Sequence, residues 1–332
     1  MRPHILLLTT GGTIASLPTA EGLAPGLDGE ALAGLLPQGI MDCYDITIRD
    51  ILHLDSSNIQ PEEWQTIARH VFENRMEYSG IVITHGTDTM AYTASVLSFM
   101  LRGISIPVVL TGAQLPMAHP LSDGMENLRT ALAMAASGVP GVFLAFDRKV
   151  MLGCRSVKLR ATGFNAFESV NARYAATVTG LGLRVDESVL PRRRGEAKLY
   201  TRISSDVFLL KLTPGLSPKI FDALVDMGYR GIVMEAFGLG GVNILHRGLD
   251  GIRKAVDAGI SVVVTTQCLY DSANLGVYQV GSKLLELGVI QGRDMTTEAA
   301  MTKLMWAIGQ NMAPEEIRAV FARSLAGEIA EE

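Results

Sequence analysis

The chain has little of several things, and each shortage excludes a class of protein. Its three cysteines, Cys43, Cys154 and Cys268, are odd in number and widely spaced, which makes neither a disulfide framework nor a zinc site. Basic residues are not in excess. The 29 Lys and Arg stand against 34 Asp and Glu, a net charge of -5, the opposite of what a phosphate-backbone binder shows. No apolar run approaches the ~20 residues that cross a bilayer. The N-terminus, with one Arg and a very short apolar stretch before Gly11-Gly12, lacks the layout of a signal peptide. The six histidines are scattered without a HExxH pair. These absences set the expectation of a cytoplasmic chain with no nucleic-acid or membrane partner and no metal.

What is present is apolar residues, at 48 %, and 34 glycines, enough for a large core and many tight turns. At 332 residues the length suits about two domains of ~150 residues. Apolar, β-branched runs at His4-Thr10, Ile46-Leu52, Gly80-Thr84, Ile106-Thr111 and Gly141-Phe146 read as strands. Several are continuous rather than alternating, as a parallel sheet covered on both faces requires. Helices fall between them. Pro61-Glu62-Glu63 opens one, with Trp64, Ile67, Ala68, Val71 and Phe72 as its inner stripe. Others follow Asp88 and Ser122-Asp123. After Pro191-Arg192-Arg193-Arg194-Gly195-Glu196 the alternation resumes, with strands at Asp206-Leu212, Gly231-Ala236 and Ile260-Thr266. A helix opens at Ser217-Pro218, and two more lie at Thr297-Ile308 and Pro314-Leu325. The expected architecture is α/β in two domains. A larger N-terminal domain (1–190) carries a doubly wound, mostly parallel sheet. A linker (191–204) leads to a smaller C-terminal parallel-sheet α/β domain (205–332).

In such sheets ligands bind beyond the carboxyl ends of the strands, where strand order reverses. The residues at the strand exits are therefore the candidates. They are Thr9, Thr10, Gly11, Gly12 and Thr13 after the first, and Asp55, Ser56, Ser57 and Asn58 after the second. Gly86, Thr87 and Asp88 come after the third, and Thr111, Gly112, Ala113 and Gln114 after the fourth. Four successive crests rich in hydroxyls and amides, with carboxylates at Asp55 and Asp88, suit a small zwitterion: helix N-termini hold a carboxylate and Asp88 an ammonium. The Gly11 turn is neither GxGxxG nor GxxxxGK[ST], which argues against a dinucleotide or P-loop site. A threonine hydroxyl becomes a nucleophile only when a base takes its proton. His85 and Lys158 are the two candidates, and the sequence places neither beside the hydroxyls.

The strings Thr9-Thr10-Gly11-Gly12-Thr13-Ile14-Ala15 and Thr84-His85-Gly86-Thr87-Asp88-Thr89-Met90 resemble the two signatures of the bacterial-type L-asparaginase family. Agreement continues through Asp55-Ser56-Ser57-Asn58, Thr111-Gly112-Ala113-Gln114-Leu115-Pro116, Ser122-Asp123-Gly124, Lys158 ahead of Gly163-Phe164, Gly240-Gly241-Val242-Asn243 and Gln267-Cys268. The details are similar to the cytosolic, type I branch. The resemblance implies hydrolysis of L-asparagine to L-aspartate and ammonia through an acyl-enzyme ester, with weaker glutaminase activity at most and no metal or cofactor. Thr13 would be the nucleophile. Thr87, Asp88 and Lys158 would form a second catalytic group, with Asp88 also binding the substrate ammonium. The Thr87 N–H would stabilise the oxyanion and the Ala113 carbonyl would contact the leaving amide. Ser56 and Ser57 would hold the α-carboxylate and amino groups. Asn243 would arrive from a neighbouring subunit of a homodimer or homotetramer.

The loop Leu17-Pro18-Thr19-Ala20-Glu21-Gly22-Leu23-Ala24-Pro25-Gly26 departs from the family. It lacks the tyrosine that usually helps activate the nucleophile. Tyr44 stands outside it at the start of a strand, and Glu21 is the remaining acid of the loop. Two alternatives stay open. One is an ammonia-supplying subunit of a tRNA-dependent amidotransferase. The archaeal form of that subunit carries an added N-terminal domain, for which a first strand at residue 4 leaves no room. The other is a catalytically silent amino-acid sensor.

Overall fold

The computed structural model describes residues 2–19, 22–26, 28–191, 195–243 and 248–330. The chain forms two compact units, Met1–Thr201 and Arg202–Glu332.

The first unit is built on an eight-stranded mixed sheet. Its strands are β1 (His4–Gly11), β4 (Asp45–Leu54), β5 (Gly80–Thr84), β7 (Pro107–Thr111), β8 (Gly141–Phe146), β9 (Lys149–Leu152), β12 (Ala176–Thr179) and β13 (Gly182–Val185). A hairpin of β2 (Ser16–Thr19) and β3 (Gly22–Pro25) and the short pairs β6 (Leu101–Arg102) with β14 (Lys198–Leu199) and β10 (Ser156–Lys158) with β11 (Phe167–Ser169) stand apart from it. The sheet order is β13-β12-β9-β8-β7-β5-β1-β4. The five strands from β8 to β4 are parallel to one another. The three at the other edge join antiparallel, an edge the sequence patterning did not announce. Every residue of β5 and β7 is buried, so both faces are covered and the continuous apolar runs are explained.

The helices of this unit are α1 (Gly29–Gly34), α2 (Gln38–Cys43), α3 (Pro61–Asn74), α4 (Met90–Met100) and α5 (Gly124–Ala135). α3 starts as its sequence dictates. Pro61 stands in the first turn, and the Gln60 N–H donates to Glu63 Oε2 at 2.8 Å, half of a capping box. Trp64, Ile67, Ala68 and Val71 form its buried stripe. Phe72 does not belong to that stripe: it is half-buried, and the Arg75 guanidinium lies 3.7 Å from its ring centroid, a contact that needs one open face. β1 is flanked by β4 on one side and β5 on the other, so the chain reverses its direction of sheet growth at β1. This switch point opens a crevice at the carboxyl ends of β1 and β5.

The second unit carries four parallel strands in the order β15 (Val207–Lys211), β16 (Gly231–Ala236), β17 (Ser261–Thr266) and β18 (Ile290–Gln291). Its helices are α6 (Lys219–Asp226), α7 (Gly248–Asp257), α8 (Gln279–Glu286), α9 (Thr297–Gly309) and α10 (Pro314–Phe321). Phe221, Leu224, Ile232, Met234, Ile252, Val262, Val264 and Leu284 are at the centre of its core. α6 begins one residue later than the Ser217-Pro218 signal indicates, with Pro218 as its N-cap. α10 ends at Phe321 rather than Leu325 because Glu328 captures the N–H groups of Leu325 and Ala326 at 2.9 and 2.7 Å, replacing the bonds that further helix would have supplied. Among the described residues no helix is long and apolar enough to cross a membrane.

Candidate active site

Gly11 and Gly12, at φ +97 and +78, take the chain out of β1 through backbone space that side-chain-bearing residues rarely enter. There is no room for a side chain either. A Cβ on Gly12 would lie 2.4 Å from the Gly86 nitrogen, and one on Gly86 would lie 2.6 Å from Ser56 Oγ. Three turns from three strands thus pack together, Gly12 backbone on Gly86 backbone and Gly86 against the Ser56 side chain. Hydrogen bonds hold them there: Thr10 Oγ1 donates to the Thr84 carbonyl at 2.9 Å, and the Gly12 N–H to the Leu54 carbonyl at 3.0 Å.

Above the stacked turns is a cleft of ≈ 380 Å³ lined by Gly12, Thr13, Ser16, Asp55, Ser56, Gly86, Thr87 and Asp88. Thr13 opens a short 3-10 turn (Thr13–Ala15) and is half-buried. Glu21 lies outside the described residues. Ser16, which sequence reasoning did not single out, closes the turn by donating to the Gly12 carbonyl at 2.9 Å. Its position three residues past Thr13 on a 3-10 turn was the available signal.

The second turn supplies Ser56 and Ser57 differently. Ser56 is 3 % exposed. Its Oγ accepts from the Asp88 N–H at 3.2 Å, and its carbonyl from Thr89 Oγ1 at 2.7 Å. Ser57 is exposed, and both its N–H and its hydroxyl donate to Asp55 Oδ1 at 2.8 Å. It is not part of the lining.

Lys158, on β10, reaches the third turn. Its Nζ lies 2.8 Å from Thr87 Oγ1 and 2.6 Å from Asp88 Oδ1. The lysine side chain is 17 % exposed and the Asp88 side chain 63 %. Between them the Thr87 hydroxyl donates to Gln114 Oε1 at 3.2 Å. Ala113 is buried beside Gln114 at the end of β7. Asn243 belongs to the second unit, exposed, just past the Phe237–Gly241 bridge.

His85, the other candidate base, is fully buried with both ring nitrogens engaged. Nε2 is 3.0 Å from Thr93 Oγ1 and Nδ1 is 2.7 Å from the Gly86 carbonyl. Trp64 Nε1, which can only donate, gives its hydrogen to Thr93 Oγ1 at 2.9 Å. That fixes the direction of the chain: Trp64 to Thr93 to His85, and the Nδ1 hydrogen to Gly86. Burial drives the imidazole pKa down to about 4, against a smaller upward pull from the Gly86 carbonyl. His85 is a neutral brace under the Gly86 turn.

The cleft therefore combines two threonines and two carboxylates, without an apolar floor, and Lys158 is bonded to one of each. It can hold a small zwitterion and move a proton through the Thr87–Lys158 pair.

Family models match both units: "Asparaginase, N-terminal" over residues 4–190 and "Glutaminase/Asparaginase C-terminal domain" over residues 206–321. An L-asparaginase of Thermococcus kodakarensis is 47 % identical over 98 % of both chains. Its solved structure superposes with a TM-score of 0.93, covering 99 % of this chain and 100 % of that one. L-asparaginase I of Vibrio cholerae is 34 % identical with a TM-score of 0.89 over the full length of both. A glutamyl-tRNA(Gln) amidotransferase subunit of Methanopyrus kandleri is 38 % identical over 98 % of this chain and 75 % of its own. Both family models in order, and relatives of this identity along nearly the whole length, show that the chain belongs to the bacterial-type L-asparaginase family, type I branch.

Proposed function

We propose that this protein is an L-asparaginase, hydrolysing L-asparagine to L-aspartate and ammonia by a threonine acyl-enzyme route. The observation that carries the reading is Lys158 Nζ at 2.8 Å from Thr87 Oγ1 and 2.6 Å from Asp88 Oδ1, with Thr87 and Asp88 lining the same cleft as Thr13. Thr13 Oγ attacks the side-chain amide carbon. Its proton goes to the leaving nitrogen, which departs as ammonia and leaves an aspartyl ester. A water molecule then attacks the ester, its proton passing through Thr87 and Lys158 to Asp88; the ester C–O bond breaks, Thr13 Oγ takes up a proton from the same relay, and Thr13 is regenerated. Asp88 holds the substrate ammonium, and Ser56, which lines the cleft, the α-substituents. The Thr87 N–H faces the developing oxyanion and the Ala113 carbonyl the leaving amide. The family likeness supports a cytoplasmic homodimer or homotetramer, with Asn243 serving the site of a neighbouring copy.

Purified chain alone, assayed for ammonia against L-asparagine and L-glutamine concentration, is the test. Saturable release from asparagine, weaker from glutamine, is expected; the two substrates differ by one methylene, worth ~1–3 kcal/mol of discrimination. A second reading rests on the 38 % identity to the amidotransferase subunit. Release that appears only with a partner subunit and tRNA would replace the first reading by the second. Tight binding of asparagine without any release would make the chain a sensor.

A further inference from the structure

Gln114 is given no role in the reaction above, yet it accepts the Thr87 hydroxyl proton, Oγ1 to Oε1 3.2 Å. The amide has no freedom to turn over. Its Nε2 donates to the carbonyls of Ala161 at 3.2 Å and Gly163 at 3.1 Å. Two donors meet two acceptors, and the oxygen is left to face Thr87. The backbone is held just as firmly. Asp123 accepts from the Gln114 N–H at 2.9 and 3.1 Å and from the Leu115 N–H at 3.1 Å. Asn127 Nδ2 donates to Asp123 Oδ2 at 2.9 Å and to the Gly112 carbonyl at 3.0 Å. A side chain whose two ends are both fixed is a rigid support.

The direction of hydrogen bonding around Thr87 gives that support a purpose. A lysine ammonium only donates. With Nζ 2.8 Å away, the Thr87 oxygen accepts from Lys158 and its own hydrogen must go elsewhere. Gln114 Oε1 is where it goes. We infer that Gln114 is a positioning residue for the hydrolysis: it fixes the direction of the Thr87 proton and the rotamer of the Thr87 side chain, leaving a lone pair of Oγ1 free for the attacking water. When Thr87 takes a proton from that water, the Lys158 ammonium passes one of its protons to Asp88 Oδ1, 2.6 Å from Nζ, and Thr87 gives its own proton to the nitrogen lone pair so freed, the O–H turning from Gln114 to Nζ. One O–H bond breaks on water, one forms and one breaks on Thr87, one N–H breaks and one forms on Lys158, and one O–H forms on Asp88. Gln114 touches neither substrate nor reacting atoms in this scheme.

The inference rests on the asparaginase reading, and the test separates the two. Gln114→Met keeps length and volume but has no comparable acceptor. Gln114→Glu keeps an oxygen facing Thr87 and loses the donors to Ala161 and Gly163. Kinetics on the full chain should give Gln114→Met a kcat lower by about 10- to 100-fold with KM within about threefold, and Gln114→Glu should recover part of that kcat although its segment 161–163 is less well held. A crystal structure of Gln114→Met reads the same point without turnover: Thr87 Oγ1 should leave its position beside Lys158 Nζ. Equal kcat losses in both variants would reduce Gln114 to packing. An undisplaced Thr87 in Gln114→Met overturns the inference even if the wild type proves inactive on asparagine, the result that would sink the asparaginase reading itself.

Discussion

Gly12 and Gly86 touch backbone to backbone: a Cβ on Gly12 would stand 2.4 Å from the Gly86 nitrogen and 2.6 Å from its Cα. Each glycine is followed at once by a threonine of the cleft, so this contact aligns Thr13 with Thr87. Gly12→Ala would suffer both the clash and a positive φ of 78. We expect asparagine turnover to fall at least about 100-fold and stability by roughly 1–3 kcal/mol, read by ammonia release and by denaturant unfolding. Wild-type turnover in Gly12→Ala would show that the approach of the two turns is not what aligns the site.

On the proposed route the two threonines act in one pathway. Thr13→Ala and Thr87→Ala should each lower kcat/KM by about 10³-fold or more, and the double variant should be little worse than the weaker single. An aspartyl ester on Thr13 should be visible by mass spectrometry after acid quench of the wild type and absent from Thr13→Ala. An ester found on another residue would move the nucleophile there.

Lys158 meets Thr87 and Asp88 through a single nitrogen. Lys158→Arg keeps the charge but substitutes a planar fork for a point contact, so it should be nearly as damaged as Lys158→Met, by about 10²- to 10⁴-fold in kcat. If arginine restores most of the rate, charge alone is what the site needs.

His85 links acidity to stability. Its pKa falls from 6.5 when free to about 4 in the folded chain, so between these values the unfolded chain binds the proton and the folded chain does not. Stability is therefore complete above pH 6.5, declines as the pH drops toward 4 and levels off below, a loss of roughly 3 kcal/mol from this group. Urea midpoints followed from pH 7 to pH 4 should fall in the wild type and fall less in His85→Gln. Parallel curves would assign the acid sensitivity elsewhere.

In the second unit Lys303 and Glu328 form an ion pair 2.5 Å long with both side chains at 0 % exposure. Burial pushes the Glu328 carboxyl upward. The Lys303 charge and hydrogen bond, with the Ala326 and Leu325 N–H groups, outweigh it and hold the pKa below the ordinary range. Lys303 also donates to the Arg323 carbonyl at 3.0 Å, so the pair fastens the chain after α10. Lys303→Met should cost about 3–5 kcal/mol by leaving a buried charge unpaired, and adding Glu328→Gln should recover part of it. A single-variant loss below ~1 kcal/mol would mean that water reaches the pair.

The strands from β1 to β8 of the parallel block and the helices α3 and α5 were legible, because a strand buried on both faces must be continuously apolar and a surface helix must repeat every three to four residues. The antiparallel strands β9, β12 and β13 carried no such signature: each is four residues long, and β12 and β13 are only partly buried. Of the site, the turns with Thr13, Ser56, Thr87 and Asp88 were legible as the segments leaving each strand. The Thr87–Gln114 bond was not, since it joins residues 27 positions apart.

The sequence by itself determined the parallel block, the polar crests above it and the family. Local periodicity and turn chemistry act over a few residues and are written there directly. Only the tertiary structure brought Lys158 to Thr87 across 71 residues and sealed His85 under Gly86. Which side chains meet depends on the order in which strands enter the sheet, and that order is settled by the burial of the whole core rather than by any segment of the chain.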